Sequence, residues 1–83
     1  AVAEYPLYRV DIETRRYEMT RTEAASKFSE AYKAYQIHKG AAHCIETATA
    51  YATSDVLNMT RNMSDEDAVY VILDEASIYL EAA

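Results

Sequence analysis

The sequence predicts an α+β fold dominated by helix: a short N-terminal β-hairpin followed by three α-helices. Three observations carry this. Apolar and polar residues alternate with period 2 between Tyr8 and Met19, and two separate stretches downstream carry helix-capping signals. Apolar residues then recur at helical spacing as far as Leu80. The chain has 83 residues and about half are hydrophobic, which suits a single small folded domain over 1–83.

The hairpin is expected at about 7–19. Tyr8, Val10 and Ile12 alternate with Arg9, Asp11 and Glu13, and Tyr17 and Met19 repeat the pattern after a turn. Pro6 marks its entry, but the turn lacks Asn-Gly or Asp-Gly. The first helix, about 21–39, opens with Thr20-Arg21-Thr22-Glu23, the spacing of a capping box. Its apolar stripe is Ala24, Phe28, Ala31, Tyr32 and Tyr35, and Gly40 stands where a left-handed C-cap belongs.

The second helix, about 41–62, has the stripe Ala41, Cys44, Ile45, Ala48, Ala52, Val56 and Met59. Its other face is rich in small residues, chiefly threonine, serine and alanine. The third helix, about 65–82, follows Ser64, a good N-cap, with three acids in its first turn to meet the positive end of the dipole. Val69, Ile72, Leu73, Ala76 and Leu80 form its core stripe.

Charge is the most informative global property. Residues 1–40 carry seven Lys or Arg against six acids, whereas residues 41–83 carry one base, Arg61, against eight. The net charge of −6 thus resides in the second half, and an acidic face that meets something basic is expected. On the third helix Asp67, Asp74 and Glu81 recur every seven residues, roughly 10 Å apart at helical rise, with Tyr70 and Ser77 between them and Glu75 nearby. Such a row of carboxylates and hydroxyls imitates nucleic-acid phosphates. The plainer reading is a solvated face that keeps a small protein soluble.

Val71 and Ile78, with Tyr79, imply a second apolar face on the same helix. That face could meet the hairpin, a second copy of the chain or a partner, and a homodimer or a partner interface is the favoured expectation. Eight tyrosines stand against one phenylalanine, a composition suited to protein interfaces, with Tyr5, Tyr51 and Tyr70 as the surface candidates.

Catalysis and cofactors find little support. His38, His43 and Cys44 lie near Gly40, but no cysteine pair or second ligand set completes a zinc site. Cys44 is expected in the core. There is no phosphate-binding glycine loop and no nucleophile elbow, so no enzyme, metal or cofactor is expected. Direct nucleic-acid binding is disfavoured because Glu13, Glu18, Glu23 and Glu30 interleave with the bases of the first half. No apolar run spans a bilayer, and no signal peptide is evident, so no membrane role and a cytoplasmic location are expected.

No stretch matches a family motif residue by residue. In size, acidity and lack of a catalytic signature the chain is similar to small inhibitors of nucleic-acid enzymes, such as the anti-restriction and anti-CRISPR proteins of phages. The expected function is therefore a non-enzymatic protein-binding module. Its partner is a protein, in the finer reading a nucleic-acid-binding enzyme, met through Asp67, Tyr70, Asp74, Glu75, Ser77 and Glu81. The alternative is a structural or regulatory homo-oligomer assembled through Val71, Ile78 and Tyr79.

Overall fold

A computed structural model describes the backbone at 10–11 and 16–17 and the chain at 19–40 and 44–82. It corrects the expected class. Residues 19–40 and 44–82 are 84% helical and hold no strand, so this part of the fold is all-α: α1 (Arg21–His38), α2 (Ile45–Met59) and α3 (Asp65–Ala82). Most of the expected hairpin at 7–19 lies outside the described residues. Within it, β1 (Val10–Asp11) pairs antiparallel with β2 (Arg16–Tyr17) over two residues, which forms no sheet layer. The apolar stripes of the helices are instead buried against one another.

α1 begins at the expected capping box. Glu23 N–H donates to Thr20 Oγ1 at 3.1 Å, and Thr20 N–H donates to Glu23 Oε1 at 2.8 Å. It ends as expected at Gly40, whose φ of +88° is the left-handed conformation glycine adopts without strain. α3 starts after Ser64, whose Oγ accepts from Asp67 N–H at 3.2 Å.

α1 packs against both other helices and most extensively against α3. Arg21 meets Asp65 where both helices start, and the Tyr35 and Tyr79 rings meet 5.2 Å apart toward their ends, so α1 and α3 run parallel. Ala24 and Ala31 of α1 and Ala68 and Ala76 of α3 are all fully buried, and these small side chains let the two axes approach closely. Phe28, Val56, Val69, Ile72 and Leu73 complete the core.

α2 departs furthest from expectation. It starts at Ile45 rather than Ala41, and Cys44, in the left-handed conformation at φ 60°, is exposed at its N-cap instead of buried. Met59, expected in the core, is 54% exposed. The physical reason is the narrow seam: α2 runs antiparallel along α1, and only Thr49 and Val56, with Thr60 at the C-cap, are fully covered, while Ala52 and Leu57 are partly buried. The helix stops at Met59, short of Asn62, and at its C-cap Thr60 Oγ1 donates back to the Val56 and Leu57 carbonyls at 2.9 and 3.2 Å.

The α1–α2 seam is polar. Lys33 pairs with Glu46 at 2.7 Å, and both side chains are well exposed, so this ion pair contributes little. The Thr53 hydroxyl donates to the Thr49 carbonyl at 2.8 Å, which leaves Ser29 Oγ to donate to Thr53 Oγ1 at 2.7 Å. Thr49 Oγ1 is buried with no hydrogen-bond partner. Replacing it by the isosteric methyl of Thr49→Val removes that desolvation cost, and a gain of about 1 kcal/mol in urea unfolding is the expected result. A loss of stability would mean that the hydroxyl is satisfied after all.

Candidate functional site

Two surfaces concentrate chemistry, and both involve α3. The thinnest dimension of the Cα envelope is 14 Å, room for two helix layers and no third. Much of α3 that turns away from α1 has no helix against it, while β2 also packs on α3.

On that outward face Asp67, Tyr70, Asp74, Ile78 and Glu81 are all exposed, Tyr70 at 47% and Ile78 at 55%. Val71 is half-buried between them. At 100° per residue Asp67, Val71, Asp74 and Ile78 fall within one narrow sector, so the acidic row and the apolar pair share a single face. The sequence reading placed them in separate roles; the helix geometry merges them into an apolar centre edged by carboxylates.

Three residues assigned to these roles lie elsewhere. Ser77 is buried beside Leu73 and Ala76, and its Oγ donates to the Leu73 carbonyl at 2.9 Å, a bond that satisfies the hydroxyl within the helix. Glu75 is half-buried on the flank that faces α2. Tyr79 packs into the protein's own aromatic cluster: its ring lies 4.9 Å from Tyr32 and 5.8 Å from Phe28, edge to face in both cases. It is therefore occupied internally rather than offered to a second copy of the chain.

That cluster belongs to the second surface, a groove between α2 and α3 with α1 as its floor. Phe28, Tyr32, Ala52, Asp55, Val56, Met59, Glu75 and Tyr79 line a cavity of about 310 Å³. Phe28 and Tyr32 are nearly parallel, 10° apart, and Tyr79 stands perpendicular to both. Burial pushes the Tyr79 phenol above the ordinary tyrosine value, and neighbouring Tyr32, Glu75 and Tyr35 push it the same way. This is an environment that disfavours additional negative charge. Asp55 and Met59 were the residues sequence reasoning missed here. A usable signal existed, since Asp55 interrupts the apolar series of Ala52, Val56 and Met59.

Arg21, one of the seven Lys or Arg of residues 1–40, has a structural task. Its guanidinium donates to Asp65 Oδ1 at 3.0 and 3.1 Å and to the carbonyls of Thr60 and Met63 at 3.0 Å each. His38 and Cys44 are exposed, His43 lies outside the described residues, and no three His, Cys, Asp or Glu side chains converge among the described residues. No helix of the described residues is long and apolar enough to cross a membrane. No family model matches the chain, and no curated protein or solved structure matches it either.

Proposed function

We propose that this protein is a non-enzymatic binding module that presents the outward face of α3 to a basic site on a protein partner. In the finer reading that site normally binds nucleic acid, and the carboxylates stand in for phosphates. The observation that carries the reading is the shared exposure of Asp67, Asp74 and Glu81 around Tyr70 and Ile78 on one helix face. Exposed aromatic and aliphatic groups provide contact area, and the surrounding acids select a basic partner and speed its approach.

The rival reading, a homo-oligomer through Val71 and Ile78, draws on the exposure of Ile78. A face-to-face pair of α3 helices would bring the carboxylates of one copy toward those of the other, with no Lys or Arg anywhere on α3 to offset them. Charge therefore favours a different chain as the occupant.

The test is affinity capture from host extract by the wild type and by Asp74→Lys in parallel, at low and moderate salt. Asp74 is exposed, so charge reversal there should leave the fold intact. The expected result is a protein that wild type retains, that duplex DNA displaces, and that the variant binds about tenfold more weakly. Equal retention by the variant, or no displacement by DNA, rejects phosphate mimicry. Sedimentation of Ile78→Asp decides the rival, which requires the wild type to be oligomeric and the variant monomeric.

A further inference from the structure

We propose that the groove between α2 and α3 is a binding site for a small organic ammonium ion, independent of the outward face of α3. Three properties of the groove lead to this. Its aromatic wall consists of two nearly parallel rings on α1, Phe28 and Tyr32, with the perpendicular Tyr79 from α3 closing one side. Ring faces carry partial negative charge and attract cations, and quaternary and primary ammonium groups use this attraction most effectively where water is partly excluded.

The second property is charge. Asp55 on α2 and Glu75 on α3 contribute one carboxylate to each wall, and among the described residues no Lys, Arg or His lines the cavity. Neither acid has an ion-pair partner among the described residues. A cation in the groove would thus meet two fixed negative charges together with the rings. An anion would be repelled by both, and a neutral apolar molecule would gain only burial.

The third is size and shape. A cavity of about 310 Å³ sits at the small end of ligand sites and matches an ammonium group on a short apolar body. Met59, half-exposed at α2, adds a polarizable side chain that adapts to such a body. The protein supplies its own precedent beside the groove: Lys39 Nζ lies 5.2 Å from the centroid of Tyr35, whose ring contacts Tyr79. The same tyrosine cluster already holds one cation at its outer edge.

The experiment titrates the full chain, ¹⁵N-labelled, with choline and separately with 3,3-dimethylbutan-1-ol, which has the same shape and no charge. The expected result is saturable shifts of the amides of Ala52, Val56, Met59 and Tyr79 with choline, and binding of the neutral analogue about tenfold weaker or more. Asp55→Asn and Glu75→Gln each remove one charge at a position that is not fully buried, so both variants keep the fold. Each should weaken choline about three- to tenfold while leaving the neutral analogue unchanged. Equal binding of the two probes overturns the proposal, as does choline that shifts only residues of the outward α3 face or fails to saturate by 50 mM. Its outcome is separate from that of the Asp74→Lys capture, which alters none of the groove residues.

Discussion

Arg21→Ala is expected to lower the stability of this protein by about 2–3 kcal/mol in urea unfolding, with little change in the slope of the transition. The ion pair with Asp65 supplies a minor part, because the Asp65 side chain is 85% exposed and solvent screens it. The larger part comes from the carbonyls of Thr60 and Met63. One guanidinium satisfies both, and so ties the turn between α2 and α3 to the first turn of α1. Arg21→Lys keeps the charge but has a single nitrogen for what the planar fork reaches in three directions, so less than half of the loss should be recovered. Asp65→Asn should cost less than about 1 kcal/mol. If Asp65→Asn costs as much as Arg21→Ala, the charge pair rather than the carbonyl clamp is what matters.

Ile72→Ala should have a still larger effect, a loss of about 3–4 kcal/mol. Ile72 is fully buried and belongs to a core in which five of the ten buried apolar residues among those described are alanine. So few large side chains leave no reserve, since a domain of this size holds on the order of 4–12 kcal/mol in total. The surrounding alanines on α1 and α3 have no rotamers with which to fill the cavity. The expected outcome is a fall in melting temperature of well over 10 °C, measured by circular dichroism. Ile72→Val should cost about 1 kcal/mol, and Ile78→Ala, on the exposed face of the same helix, less than about 0.5 kcal/mol. A mild effect of Ile72→Ala would mean that α1 and α3 close over the gap, against the tight alanine contact that parallel packing sets.

These two residues also mark how far the sequence could be read. Ile72 lies in a stripe that period 3.6 identifies directly, and Thr20, Glu23, Gly40 and Ser64 announce helix ends through local chemistry alone. Arg21 looked like one cation among several, because its partners at Thr60, Met63 and Asp65 are about forty residues away. Cys44 and Met59 shared a plausible apolar stripe with Val56, yet only Val56 is covered. Periodicity shows that a helix has an apolar side; it does not show how wide a strip its neighbour will cover.

The two surfaces divide in the same way. The acids of α3 and their spacing were legible, since a seven-residue repeat keeps side chains near one face whatever the helix packs against. Ser77 and Tyr79 left that surface because the direction from which α1 approaches α3 decides which flanks are buried. Of the groove only the break that Asp55 makes in an apolar series was legible, for the groove itself exists only where α2 and α3 stand apart on α1 and bring Asp55 and Glu75 to facing walls. The positions and caps of α1 and α3 and the uneven charge are local properties of the chain, so the sequence by itself determined them. The all-α class, the narrow burial of α2, the Arg21 clamp and the aromatic groove arise from contacts between residues distant in sequence. Only the tertiary structure decided those, because the interhelix geometry that creates them depends on how all three apolar stripes are buried at once.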